Sequence, residues 1–223
     1  MHESLRIQLL RRLNVALALL VALTAGGVAA WLAGDFIDGQ VRRDLLRRAP
    51  VGGLVLTVDI DPFAQAGAPP DLVTPVNAKL RERARQLTAL NPSLRAISLL
   101  RVPSGDRPAS YVFDFRDPSH GEEARPGDAY VPRFGSSALD QLRRDDRAVI
   151  VGPFEAANGL CGVAYAFLPA FGPVPSRDVR HVVRIEADAA EWRHNVLLGR
   201  LLAGLGVGGL IGAPLAMFLF GQR

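Results

Sequence analysis

The chain has 223 residues, 49% of them apolar, with 26 basic and 22 acidic side chains and a pI near 9.9. The basic excess lies at the ends: outside Glu3, Arg6, Arg11, Arg12 and Arg223, 22 basic and 21 acidic residues remain, so the pI gives no ground for nucleic-acid binding. Cys161 is the only cysteine, which excludes an internal disulfide and a Cys-X-X-Cys-His haem attachment.

Residues 1–12 read as a cytoplasmic N-terminal segment. Leu13–Gly34 is then uncharged for 22 residues, roughly 33 Å as a helix and long enough to cross a hydrocarbon core of about 30 Å. It exceeds the h-region of a cleaved signal, and Trp31 suits an interfacial anchor. Residues 35–194 form the central domain. Phe36, Ile37, Val41, Leu45 and Leu46 fall at helical spacing, so a helix continues out of the membrane, with Pro50 as its expected end. Val51–Ile60, apolar and partly β-branched, is expected to be a strand. Residues 62–75 read as a loop. Thr74 and Pro75 then open a helix whose apolar stripe is Val76, Leu80, Ala84 and Leu87, and Asn91-Pro92 stops it.

From there the period changes to two. Leu94–Val102 and Ser110–Phe115 are expected strands around the turn Pro103-Ser-Gly-Asp106. Asp117–Tyr130 reads as an exposed loop and Ser136–Arg144 as a short helix with Leu139 and Leu142 inward. Ala148–Val151 is a short strand ending at Gly152-Pro153. Leu160–Pro169 and Val179–Ala187 are two more strands, separated by turn-rich residues 172–178. Asp188 caps a last helix, which passes through 195–222 as a membrane-entry segment and a second span, Leu201–Gln222. Residue 223 returns to the cytoplasm. Arg6, Arg11, Arg12 and Arg223 place both termini inside and the central domain outside.

The expected fold is α/β, a mainly antiparallel sheet with flanking helices between two transmembrane helices. Its pattern resembles the extracytoplasmic PAS-like or Cache-like sensor domains of bacterial sensor kinases, diguanylate cyclases and chemoreceptors. The resemblance is carried by Leu90–Arg101, Val112–Phe115, Pro126–Tyr130, Val151–Glu155, Gly159–Leu168 and Val182–Asp188 before Trp192. It implies a central sheet beside a small-molecule cavity, with membrane helices carrying the signal. Two departures stand out. Asn158-Gly-Leu-Cys-Gly162 replaces the polar-aromatic sequence common before the long strand, and no Asp/Arg/Tyr set of the amino-acid-binding kind is evident.

Tyr130 and Asn158 are the ligand-binding candidates, because loops direct their polar atoms. Phe113, Phe154 and Phe167 read as core aromatics. Arg42, Arg43, Arg47 and Arg48 form one partner-binding stripe. Gly204, Gly208 and Gly212, four residues apart, form another suited to close helix packing. The acidic residues Asp114, Asp117, Glu122, Glu123 and Asp128 read as a solvated loop surface. His2, His120, His181 and His194 have no metal-ligand spacing. No catalytic motif, metal site or cofactor is expected. The function expected first is a non-enzymatic accessory subunit in the bacterial inner membrane, docking on integral subunits of a larger complex, electron-transfer or photosynthetic among the hosts, with lipid around it. The alternative is a small-ligand sensory module that signals through a separate protein.

Overall fold

A computed structural model describes residues 2–58, 75–104, 107–132, 137–145, 147–156, 159–168 and 179–220. In chain order the elements are α1 (His2–Thr57), α2 (Pro75–Leu90), β1 (Leu94–Pro103), β2 (Ser110–Arg116), a 3-10 turn (Pro118–His120), α3 (Ser137–Asp145), β3 (Val149–Ala156), β4 (Gly159–Phe167), β5 (Val179–Asp188) and α4 (Ala190–Phe220). They form two compact units, residues 42–191 and residues 1–41 with 192–223.

In the first unit the five strands form one antiparallel sheet in the order β2-β1-β5-β4-β3. This is the mixed α/β fold with a mainly antiparallel sheet that the periodicity predicts. Both faces are covered. On one, Leu100, Val163, Val182 and Tyr165 pack with Leu139 and Leu142 of α3, in a core that also takes in Tyr130. On the other, Val183 and Ile185 meet the end of α1.

That end of α1 corrects two expectations. The helix neither stops at Pro50 nor gives way to a strand; it continues through Pro50 to Thr57. Proline removes one backbone donor, and packing outweighs that loss. Leu56 is fully buried. A Cβ on Gly52 would lie 3.0 Å from Ile185 Cδ1, and one on Gly53 would overlap Leu168. The glycines therefore let the helix approach the sheet closely. At the helix end the Leu56 carbonyl accepts from Arg83 Nη1 at 3.0 Å, and the Thr57 hydroxyl donates to the Gly53 carbonyl at 2.8 Å. A third correction concerns β3, which runs beyond Gly152-Pro153 to Ala156 after a register shift between Val151 and Phe154. β3 is an edge strand, where a proline leaves no partner unpaired. The expected loop at 62–74, with Thr74, and the expected turn at 172–178 lie outside the described residues.

The second unit holds two helical segments. Among the described residues two helices are long and apolar enough to cross a membrane, Arg12–Thr57 and Ala190–Phe218. They pack through small residues. A Cβ on Gly26 would lie 2.8 Å from the Gly204 carbonyl oxygen, and one on Gly204 would lie 3.2 Å from Ala30 Cβ. Gly208 and Gly212 both approach Ala22. Near the other end, Trp192 Nε1 donates to Asp38 Oδ1 at 3.0 Å.

The 3.2 Å between Cβ positions is a few tenths of an ångström below the usual disulfide range, so a small adjustment admits a disulfide between cysteines at 30 and 204. Ala30→Cys with Gly204→Cys should crosslink readily under mild oxidation of intact membranes. Adding Gly26→Val, whose side chain meets backbone, should reduce crosslinking severalfold on a non-reducing gel.

Candidate functional site

Strand register assembles a polar row on the face shared with α3. Asp114 of β2 pairs with Ser98 of β1, Ser98 with Arg184 of β5, and Arg184 with Tyr165 of β4. One step along the strands, Arg116 and Glu186 both oppose Ala96. Ser98, Asp114, Arg116, Arg184 and Glu186 are all buried.

Burial of charge demands pairing. Ser98 Oγ donates to Asp114 Oδ1 at 2.6 Å, and the Ala124 amide donates to Asp114 Oδ2 at 3.0 Å. Arg184 donates from Nη1 to Ser98 Oγ at 3.3 Å and from Nη2 to Glu186 Oε2. Arg116 lies between the acids, its Nη1 3.7 Å from Glu186 Oε2 and its Nε 3.9 Å from Asp114 Oδ2. Two cations and two anions thus close on one another. The remaining polar capacity is on the donor side, since Arg184 Nε is buried with no hydrogen-bond partner among the described residues.

Above this row stand three tyrosines. Tyr130 and Tyr165 share a hydroxyl–hydroxyl hydrogen bond of 2.6 Å. Tyr111 meets Tyr130 edge to face, with centroids 5.4 Å apart, and the Arg184 guanidinium lies 5.9 Å from the Tyr130 ring centre. Burial pushes the Tyr130 phenol well above its ordinary pKa, against the opposing effect of Arg184, so its proton stays on. Tyr130, Phe154, Cys161, Tyr165, Arg184 and Glu186 border a cavity of about 10 Å³, room for about one water.

Tyr130 is therefore at the cavity, but as a buried core residue, 5% exposed, and not as a loop-tip side chain. It is held by its amide, which donates to the Ala109 carbonyl at 2.7 Å. Asn158 lies outside the described residues. Phe113 is buried, and Phe154 and Phe167 pack against the α3-side core. Asp114 corrects the expectation of a solvated acidic surface, being 3% exposed beneath the loop. Asp114, Arg116, Arg184, Tyr111 and Tyr130, scattered in the sequence, thus lie close together here. Among the described residues no group of three or more His, Cys, Asp or Glu is placed to hold a metal ion.

The partner candidates separate. Arg42 Nη2 donates to the Gly152 carbonyl at 2.8 Å, and Arg48 pairs with Asp44 at 2.6 Å. Arg43 and Arg47 are exposed. Gly204, Gly208 and Gly212 face the chain's own Ala22, Gly26 and Ala30.

Strand β5 links the polar row to α4. Asp188, two residues beyond Glu186, accepts from Arg95 Nη2 through Oδ2 at 2.5 Å and from the Ala190 amide through Oδ1 at 2.7 Å. Partial burial pushes the Asp188 carboxyl up, but the hydrogen bonds from Arg95 and Ala190 and the Arg95 charge outweigh it and hold the pKa below the ordinary value.

Arg184→Met leaves Glu186 buried with a weakened counter-charge and should cost about 3–5 kcal/mol in urea unfolding; adding Glu186→Leu should recover part of that loss. For Asp188, a depressed folded-state pKa means stabilisation that is present above about pH 4, the unfolded value, and lost as pH falls through the folded one. Between pH 5 and pH 3, Asp188→Asn should therefore lose less stability than the parent.

No protein-family model matches the chain, and no curated protein matches it. Among solved structures it is similar to "the extracellular domain of the putative histidine kinase soHK1S-Z6", with 13% identity and a TM-score of 0.32. The alignment covers 72% of this chain and 64% of that one.

Proposed function

We propose that this chain is a membrane-anchored sensory module, whose central domain lies outside the bacterial inner membrane with both termini inside. A small polar ligand binds on the Arg184 face and biases the two membrane helices, and output passes to another protein segment. The observation that carries the proposal is the buried polar row beside a cavity, on a strand whose last residue caps α4. Such a row costs stability that an apolar core would not. It is better explained as a recognition surface held closed by its own pairs. With room for about one water, binding replaces the Tyr130–Tyr165 hydrogen bond by bonds to the ligand, and Asn158, two residues after the cavity-lining Ala156 in sequence, is the second ligand-binding candidate. No group at the site is placed as an activated nucleophile, so the proposed role is binding without catalysis.

A second reading is docking onto integral subunits of a larger membrane complex. Exposed Arg43 and Arg47, four residues apart on α1, favour it. The glycine stripe does not, because the chain's own first helix occupies it.

The test is a thermal-shift screen of the full chain in lipid nanodiscs against small polar metabolites. A true ligand at about a hundred times its Kd contributes about 2.7 kcal/mol, which should raise Tm by about 5–10 °C. Tyr130→Phe should reduce that shift, and the ligand should change the rate of crosslinking between cysteines at 30 and 204. A screen without any shift, together with stoichiometric recovery of integral membrane subunits in mild detergent, would replace sensing by docking.

A further inference from the structure

Arg200 is the first charge met when α4 is followed back from its apolar run. Its side chain is laid across the backbone of α1: a Cβ on Gly34 would overlap the Arg200 Nε and lie 2.7 Å from its Cγ and 2.9 Å from its Cδ. Gly34 is buried there, and no larger residue leaves room for that path. The stem of Arg200 thus runs over Gly34, while the residue as a whole stays exposed.

Its depth is set by its neighbours. Gly34 and Arg200 lie at the same end of the two apolar runs, with the Ala30–Gly204 and Gly26–Gly204 contacts continuing away from it. Trp31, 63% exposed, is three residues before Gly34, about 4.5 Å along the helix, and exposed tryptophan favours the headgroup level. Of the two nearby acids, Asp38 accepts the Trp192 indole and Asp35 is exposed. Among the described residues Arg200 has no ion pair.

We propose that Arg200, seated on Gly34 beside Trp31, binds the phosphate of an anionic phospholipid in the leaflet at this end of the helix pair. The inference rests on both helices spanning the bilayer. A planar guanidinium matches phosphate with two parallel hydrogen bonds, and at the membrane edge the alternative is an unpaired charge next to hydrocarbon. The choline headgroup carries its own cation beside the phosphate, so phosphatidylglycerol is the better partner.

The experiment uses the full chain in mild detergent, titrated with phosphatidylglycerol or phosphatidylcholine and read by native mass spectrometry as lipid retained per chain. Wild type should retain phosphatidylglycerol about fivefold better, the effect of one arginine near a membrane surface. Arg200→Gln should abolish the preference and Arg200→Lys keep part of it. Gly34→Ala, which displaces the side chain but keeps its charge, should reduce it. Crosslinking of cysteines at 30 and 204 in each variant shows that the helix pair survives. Equal retention of both lipids by wild type, or an unchanged preference in Arg200→Gln, would overturn the proposal. So would competition by millimolar inorganic phosphate, which would assign the site to free anions. Release of wild type from vesicles by alkaline carbonate would instead sink the spanning on which the site depends, a result distinct from lost headgroup preference.

Discussion

The burial of Arg184 constrains the rest of the central domain. A guanidinium in the interior keeps its charge, so the fold must supply counter-charge and acceptors at fixed places. Glu186 comes from the same face of the same strand. Ser98 comes from β1, and Asp114 from β2 behind it. Each is correct only in one register. A one-residue slip of β5 would turn Arg184 and Glu186 toward the face covered by α1, where Gly52 and Gly53 leave no space for them. The polar row therefore specifies sheet alignment as much as it forms a site. Irregularities at Leu99/Leu100 on one side of β1 and at Leu94/Ala96 on the other accommodate the pairings.

Much of this was legible in the sequence wherever one periodicity ruled. The alternation in 94–102 and 110–115, the stripe in 76–87 and the cap at Asp188 are local signals, and local geometry followed them. The expectation for 51–57 failed because a short apolar run carries no period, and Pro50 reads as the stop of a helix; Gly52 and Gly53 carry the reason. Their effect is tertiary: the missing side chains admit the sheet. The polar cluster was illegible for a different reason. In β2, Phe113 and Phe115 alternate with Asp114 and Arg116, the pattern of a strand with one wet face. That inference fails when helices and loops cover both faces, and nothing local announces the second cover. Asp114 was grouped with acids near it in sequence, whereas its partners are 16 residues away at Ser98 and 10 residues away at Ala124.

The glycine stripe gives a related lesson. Gly204, Gly208 and Gly212 announce a close helix contact, and small residues at spacing four do permit one. The complement was in the chain as well, as Ala22, Gly26 and Ala30. Backbone approach there depends on the absence of side chains on both helices, since the Gly26 contact is to a carbonyl oxygen and not to a movable side chain. Such a seam gains from van der Waals contact where lipid gives no hydrophobic drive. It also presents few interlocking side chains to resist a change in register.

Strand β5 brings these constraints together. Val182 packs in the core, Arg184 and Glu186 form the charged pair, and Asp188 ends the strand by capping α4. All four project to one side, so a change in how Arg184 and Glu186 are paired acts on the same edge that supports the cap. Asp188 divides its oxygens between Arg95 in β1 and the first amide of the helix. It cannot follow one partner without loosening the other. In the sensory role proposed for this domain, that shared carboxylate makes the start of α4 sensitive to the sheet without requiring the core to move. A fully apolar β5 would pack as well, but it would give the helix start no comparable dependence on the polar row.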